Sequence, residues 1–542
     1  MKVLYIEMGR EDKLGSNYER GMYKQLSEQI DLNERLQAEN KAFRIENRTL
    51  KNEIAILRSK MTEMEATMAE KISSFVTVAV KQATEPLLEE LNKAHTEISR
   101  LKSIINKDSS NSSKPPSSNG FKEIPNSREK SGKPQGGQEG HEGHRLGLPK
   151  NVEELERQGI VVRRLEDHTS GSSEYVSKYT IDVETKVIIT EHRFFKGKIP
   201  VGLQNEVSYG NGIKAQTVLL MNEGIVAYKR LSNIIRGMTF QTVRLSTGTM
   251  NKFQSDFAKC LTESDELEYI KQDLLNGEVL NADDTSMRVL ERPVYSEDET
   301  VSEPVGYEYG ENKSLRATIR THSNEKSTLY TVNPKKDKKG IERDGILPLY
   351  VGTLCHDHES KFYNYGKNNA TCGSHLTRAL KGLNDSSNCP WAEQMRRFVL
   401  SMNDHKNKDI SAGRTSCAPC QLESFEAEYD RLVNQGFQAL AQMNPQRWEY
   451  DEFNAMLKRL DNFKDSYMLF MREYRVPFTN NLAERDLRAE KTKEKVSGLF
   501  RSWGGIVAHS KIRSFISTAK KRNKDLFSSV LQVMDKIPVL AT

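Results

Sequence analysis

Two apolar runs that each finish on an acid constrain this chain more than any other feature. GEVLNADDTSMRVL, from residue 277, leads into Asp283 and Asp284. LPLYVGTLCHDHESKFYNYG, from residue 347, leads into His356, Asp357 and His358. Short runs rich in Val, Leu and Ile, bounded by turn residues, read as strands. SLRATIRTH and STLYTVN lie between them and read as two more strands of a meander, followed by a short helix at KKDKKGIERDGI. A third acid, Glu484, sits in VPFTNNLAERDLRAEKTKEKVSGLFRSWGG, residues 476–505. There Pro477 suits a helix entry, and Thr479, Asn480 and Asn481 are all N-cap residue types.

Taken singly, each Asp is an ordinary strand-end turn residue, and Glu484 an ordinary complement to a helix dipole. Taken in order, two strands ending in Asp and a later helix bearing Glu form the pattern of an RNase H-like core, which gathers three carboxylates at one point. Hard divalent cations need such oxygen ligands. Two of them about 4 Å apart can hold the attacking and leaving oxygens of an in-line phosphoryl transfer.

The charge distribution points the same way. Lys plus Arg number 81 against 75 Asp plus Glu, a net of only +6, so a nucleic-acid reading has to rest on where the charge sits. From Arg485 to Thr542 there are 13 Lys or Arg against 5 Asp or Glu, an excess of 8. Arg485, Arg488, Lys491, Lys493, Lys495 and Arg501 follow Glu484 closely and read as a cationic track for phosphates. The six cysteines are sparse, which fits a reducing cytoplasm rather than a disulfide scaffold. No apolar run approaches membrane-spanning length, and the charged first residues do not read as a signal peptide. The expectation is a cytoplasmic protein without a membrane partner.

The 542 residues divide into several modules. Residues 22–106 read as coiled coil. Leu36, Phe43, Leu50, Leu57 and Met64 recur every seven residues as a d seam, with Asn33, Asn40, Asn47, Ile54 and Met61 at a. Asn at a fixes register and favours a parallel pair, in which Glu39 meets Arg44, Glu46 meets Lys51 and Glu53 meets Arg58. The alternative is one solvated helix. Pro86 is expected to break the pattern, with the β-branched stretch ISSFVTVAV before it a bend or weaker helix. Leu87, Leu91, Ala94, Ile98, Leu101 and Ile105 resume the heptads after it.

Residues 107–150, dominated by Ser, Asn, Gly, Pro and Lys, read as a disordered linker. Residues 151–205 read as a small β-rich module because VSKYTIDVETKVIITEHRFFKG alternates, with a turn around Glu184 and Thr185. Residues 206–265 turn helical. Arg230 to Phe253 is a candidate helix-turn-helix with Gly237 in the turn and Ser246 or Thr247 capping the last helix, although small helical bundles look alike. The core would occupy 275–388 and 476–542, with the polar helices of 389–475 inserted between. Cys372, His375 and Arg378 are three apart and share a helix face. Zinc needs four ligands, and pairing them with the C-x-x-C of Cys417 and Cys420 has no support in spacing. The fold class is therefore multidomain α+β: coiled coil, β-rich module, helical DNA-binding region, and RNase H-like core with a helical insertion.

NSSKPPSSN with GGQEGHEGH, then NADDTSMRV, CGSHLTRAL, and TNNLAERDLR with GLFRSWGG, resemble in that order the transposase family of insertion sequence 66. The resemblance runs from about residue 36 to the end. It implies a DDE-type transposase with an RNase H-like core, using Mg2+ (or Mn2+), as two ions, for cleavage and strand transfer. It places the catalytic and metal-binding acids at Asp283, Asp357 and Glu484. It also implies double-stranded DNA ends and target DNA as partners, accessory transposition proteins, and a nucleoid-associated bacterial setting. Cys372, His375 and Arg378 match the family's C-x-x-H-x-x-R pattern and are structural candidates. Two departures stand out. The family's Asp-Glu-Thr is Asp283, Asp284 and Thr285 here, so the choice between two adjacent acids stays open. The cysteine zinc motif common after the Gly-rich linker is missing, since residues 151–205 hold no cysteine. Two other functions stay in view: a catalytically inactive coiled-coil DNA-binding regulator, and an RNase H-like nuclease without strand transfer.

Overall fold

A computed structural model describes residues 73–108, 111–112, 148–149 and 151–540, apart from 169–175, 196–197, 201–202, 297–302, 311–313, 388 and 446–447, together with scattered positions between 29 and 61. Most of the first heptad segment therefore lies outside the described residues. Where it is described, Leu36, Ile54 and Met61 are exposed, on helical backbone. Helix α1 (Ser73–Asn106) then runs unbroken through Pro86 and includes the β-branched stretch, so the expected break does not occur. Proline removes one ladder hydrogen bond. The Leu, Glu, Lys and Ala that follow are strong helix formers and carry the helix on. Its heptad residues Leu87, Leu91, Ile98, Leu101 and Ile105 are all exposed.

The first linker residues are held in place. Lys107 pairs with Glu452 at 2.8 Å, and Asn111 is buried, donating to Asp385 at 3.2 Å. The Asn111 carbonyl sits so close to Gly382 that a Cβ there would lie 2.1 Å from it. The expected β-rich module is corrected. Among the described residues of 151–205 there is one short helix, α2 (Val152–Arg157), and no strand. Val176, Val183, Ile188 and Ile189 are exposed, and an Arg164–Glu184 pair at 2.6 Å ties the segment to itself. Alternation supplies an apolar face, but a strand also needs a ladder partner, and none is offered here.

Four helices follow: α3 (Asn211–Asn222), α4 (Tyr228–Met238), α5 (Thr247–Glu263) and α6 (Glu266–Leu275). Ser246 caps α5 as expected, accepting from the Thr249 amide at 3.1 Å. Gly237, however, lies inside α4. The connection spans 239–246 and turns through Phe240 and Gln241 at φ of 49° and 67°. That is longer than the three or four residues of a helix-turn-helix, and the inner faces of both helices are spent on the main core.

The core sheet contains β1 (Val279–Val289), β4 (Leu315–Ser323), β5 (Thr328–Asn333), β6 (Thr353–His356) and β7 (Asn368–Thr371), in the order β5-β4-β1-β6-β7. β1 pairs antiparallel with β4 and parallel with β6. Between β1 and β4 the chain makes a separate two-stranded ribbon, β2 (Glu291–Tyr295) with β3 (Pro304–Tyr309). Helix α7 (Lys338–Asp344) precedes β6.

After β7 come α8 (Gly373–Ser387), α9 (Pro390–Ser411), α10 (Pro419–Ala441), α11 (Trp448–Asn462) and α12 (Lys464–Arg472). They pack around Trp391, Met395, Tyr429, Leu432, Phe453 and Leu457. Gly436 lets them approach: a Cβ there would meet Leu457 at 2.3 Å and Trp391 at 2.7 Å. The chain returns to the sheet with α13 (Asn481–Ser497), α14 (Trp503–Lys521) and α15 (Leu526–Met534). Helix α13 lies on β1 and β4, and α14 on β5. No helix among the described residues is long and apolar enough to cross a membrane.

Candidate active site

Successive strand residues point to opposite sides of a sheet, and β1 uses this to separate its two acids. Leu280, Ala282 and Asp284 share one face; Asp283, Thr285 and Met287 share the other. Met287 packs with Leu487 of α13, so the Asp283 face is the one that α13 covers.

Asp284 is buried among cations. Its carboxylate is 2.5 Å from the Lys361 amine, 2.7 Å from Lys336 and 3.4 Å from the Arg320 guanidinium. Burial alone would raise its pKa, but Lys361 and Lys336 outweigh burial and hold it low. Asp283 has the reverse surroundings. Burial first, then the charges of Asp357 and Asp284, raise its carboxyl well above the usual range, and Glu484 adds to the rise. The Asp284 amide, donating to Asp283 Oδ1 at 2.8 Å, opposes it.

Asp357 follows β6, the parallel neighbour of β1. Burial and then the charge of Glu359 push its carboxyl up to about 6, against the pull of Lys336 and Lys361. Its Oδ1 is buried and meets no hydrogen-bond donor. The preceding His356 is fixed by its Nε2 against Asn369 Oδ1 at 3.0 Å and by contact of its Nδ1 with the Asp357 carbonyl.

Glu484 stands in the first turn of α13. The helix is set by Asn480, its fully buried N-cap residue, which does not cap with its side chain. Instead the Asn480 amide donates to the Ala282 carbonyl at 2.8 Å and accepts from Asn281 at 3.0 Å, bolting α13 to β1 beside Asp283. The Asn480 backbone N–H donates to Cys372 Sγ at 3.2 Å.

Two of the C-x-x-H-x-x-R residues, Cys372 and His375, meet Glu484. Cys372 Sγ lies 3.9 Å and His375 Nδ1 3.6 Å from Glu484 Oε1, and the three ligand-type atoms fall within 4.8 Å of one another. Burial first, then Arg378 and Arg459, hold His375 down to about 4, so it is neutral at physiological pH. Arg378 spans back to donate to the Ser374 carbonyl at 3.2 Å, and its charge acts on His375. Arg459 and Lys361 are neighbours of the site that the linear motifs do not reveal.

The basic track divides. Arg485, Arg488, Lys491 and Lys495 are exposed along one side of α13, and Arg501 is exposed beyond its end. Lys491 reaches the Ser286 carbonyl at 3.4 Å, and its charge and that of Asp283 act on each other. Lys493 does not join them. It is buried, with its amine 3.5 Å from the Met221 carbonyl, and burial lowers its pKa despite nearby Glu490.

Compared with known families, residues 206–508 match the model described as Transposase IS66 family, and residues 27–147 match a Family of unknown function (DUF6444). No curated protein matches. One solved structure is found, described as "Crystal structure of the Mos1 Strand Transfer Complex", at 12% identity over 50% of this chain and 79% of that one, with a TM-score of 0.09. That score is too low to equate the two folds.

Proposed function

We propose, for a chain that belongs to the Transposase IS66 family, that its core is RNase H-like and that Asp283, Asp357 and Glu484 carry divalent-metal-dependent cleavage and strand transfer of DNA ends. The observation behind this reading is the split of two adjacent acids across the sheet. Asp283 faces the charges of Asp357 and Glu484, while Asp284 on the other side is neutralised by lysines and arginine. The strand order and the mix of parallel and antiparallel neighbours support the fold assignment.

Asp283, Asp357 and Glu484 are all oxygen donors, although among the described residues the ligand atoms within 4.8 Å of Glu484 are those of Cys372 and His375. Asp357 Oδ1 is buried without a donor, and burial, then the charges of Asp357 and Asp284, raise the Asp283 carboxyl, so added positive charge would relieve both acids. An all-oxygen donor set suits Mg2+ or Mn2+. Asp283, Asp357 and Glu484 would hold the ions, which when bound supply charge to the attacking and leaving oxygens of an in-line transfer.

The protein's own groups do the rest. Arg485, Arg488, Lys491 and Lys495 present one cationic face that can follow a DNA backbone, and phosphate contacts of this kind set position rather than sequence. Cys372 donates a long thiol hydrogen bond to the Glu484 carboxylate, the neutral His375 lies beside it, and Asn480 fixes the helix that carries it. The exposed heptad residues of α1 and the Asn-bearing repeat before it support parallel self-association, which would bring two cores to two DNA ends.

The test is cleavage and joining of the element's own ends by purified protein in Mg2+. Asp283→Asn, Asp357→Asn and Glu484→Gln should each abolish both steps with DNA binding retained. Asp284→Asn should keep far more activity than Asp283→Asn. A Glu484→Gln protein that joins ends at the normal rate would break the triad. Cleavage without joining would instead favour a nuclease.

A further inference from the structure

We propose that His405, Asp409, Cys417 and Cys420 form a structural site for one zinc-class divalent cation, which staples α9 to α10 inside the helical insertion. The site is independent of the acid cluster and of the function proposed for it.

The sequence supplies two ligand pairs of different kinds. His405 and Asp409 are four residues apart near the end of α9 and so share a helix face. Cys417 and Cys420 form a C-x-x-C at the start of α10, where Pro419 is the first helical residue. The turn between them reverses through Gly413 at φ 80°, a conformation glycine adopts without cost. Two pairs brought together by a tight reversal is a common way to build a four-ligand zinc site.

The structure brings three of the four together. His405 Nε2 lies 3.4 Å from Asp409 Oδ2, and ligand atoms of His405, Asp409 and Cys417 all fall within 4.8 Å of one another. Ligands of tetrahedral zinc are roughly 3.5 Å apart, given metal–ligand bonds of about 2.0–2.3 Å. Closing His405, Asp409 and Cys417 on an ion needs movement on the order of 1 Å, and Cys420, outside that group, would swing in as the fourth ligand. Cys420 is exposed and carries a free thiol, as does buried Cys417. It stands in the first turn of α10, three residues after Cys417.

The surroundings suit a bound cation. Arg414 pairs with Asp409 Oδ1 at 2.5 Å, and the Tyr474 hydroxyl donates to Oδ2 at 2.7 Å. Ligating carboxylates are themselves held by such outer partners. Charge closes as well. Two thiolates and one carboxylate around a dication leave one negative charge, which Arg414 offsets, and the two thiol protons pass to solvent. Sulfur and imidazole ligands select zinc over Mg2+. Tyr474 ends the insertion just ahead of Pro477, so the ion would stiffen the segment that delivers the chain to α13.

The test uses the full chain, stripped with chelator, kept reduced and supplied with excess Mg2+, then titrated with Co2+. The expected result is thiolate-to-cobalt charge-transfer absorption saturating at one ion per chain and displaced by Zn2+. Cys420→Ser, at an exposed position that leaves the fold intact, should weaken binding at least 100-fold, as should Asp409→Asn. Cys372→Ser should leave the signal unchanged. Absence of the charge-transfer band, its persistence in both Cys417→Ser and Cys420→Ser, or its loss in Cys372→Ser would each overturn the proposal.

Discussion

Asp357→Asn should make the metal-free protein more stable, the reverse of what a substitution at a half-buried polar residue usually does. Burial and Glu359 push the Asp357 carboxyl from 3.8 up to about 6. At about 1.4 kcal/mol per pKa unit, ionised Asp357 costs the folded state about 3 kcal/mol at pH 8. The sign follows from linkage. An acid with a raised folded pKa destabilises fully above that value, and the cost fades as pH falls toward its unfolded pKa. The gap between variant and wild type should therefore be about 3 kcal/mol at pH 8, about half that at pH 5, and close to zero below the unfolded pKa. Urea denaturation followed by tryptophan fluorescence in chelator, at pH 8 and pH 5, reads this directly. Mg2+ should then raise the wild-type midpoint by mass action and leave the variant's in place. A variant less stable than wild type at pH 8, or a gap that does not change with pH, would refute the claim that Asp357 is held charged at a cost for the sake of a cation.

Changing Arg485, Arg488, Lys491 and Lys495 together to Gln should weaken DNA binding and lower the salt slope of log K by up to about 3.6, at roughly 0.9 per phosphate contact. Lys493→Gln should leave that slope unchanged, and a titration of affinity against salt separates the two. Asn480→Ala removes a buried donor and a buried acceptor at the joint between α13 and β1, so it should cost about 2–3 kcal/mol in urea denaturation. A smaller loss than 1 kcal/mol would show that the joint is redundant. A peptide of residues 29–64 should sediment as a helical dimer that dissociates when Glu39, Glu46 and Glu53 all become Lys; a monomeric wild-type peptide would remove the basis for pairing.

The core was legible because its signals are local and periodic. An apolar run ending in Asp announces a strand that carries an acid, and β6 ends at His356 just before Asp357 as expected, whereas β1 runs on past Asp283 and Asp284 to Val289 in the middle of the sheet. Even the division of the basic track could be read from helix periodicity. Arg485, Arg488, Lys491 and Lys495 step by 3, 3 and 4, whereas Lys493 keeps register with Ala483, Leu487 and Glu490, the buried face. What escaped depends on contacts distant in sequence. The role of Cys372 and His375 appears only when α13 returns past a four-helix insertion to set Glu484 against them. The expected β module differs for the opposite reason: alternation is present in 176–195, but among the described residues of 151–205 there is no strand.

The choice between Asp283 and Asp284 shows how one residue of register becomes chemistry. Both acids are buried to similar depth, so burial pushes both upward and cannot distinguish them. The pleat does, by giving them different neighbours. Lys361 follows β6 and Lys336 precedes α7, so the elements flanking Asp357 are also those that neutralise Asp284. The same two lysines act on Asp357, where they only moderate a rise that Asp284 itself adds to. Asp284 therefore works on the site without facing it: it engages two cations that would otherwise pull Asp357 down, and it contributes a negative charge of its own. Neutralising it should lower the Asp357 pKa, while Lys336 and Lys361 keep Glu359 and Arg320 keeps Asp344 as partners. An acid that ligates a cation and an acid that governs its neighbours' charge can thus sit side by side on one strand, with the alternation of side chains alone assigning the roles.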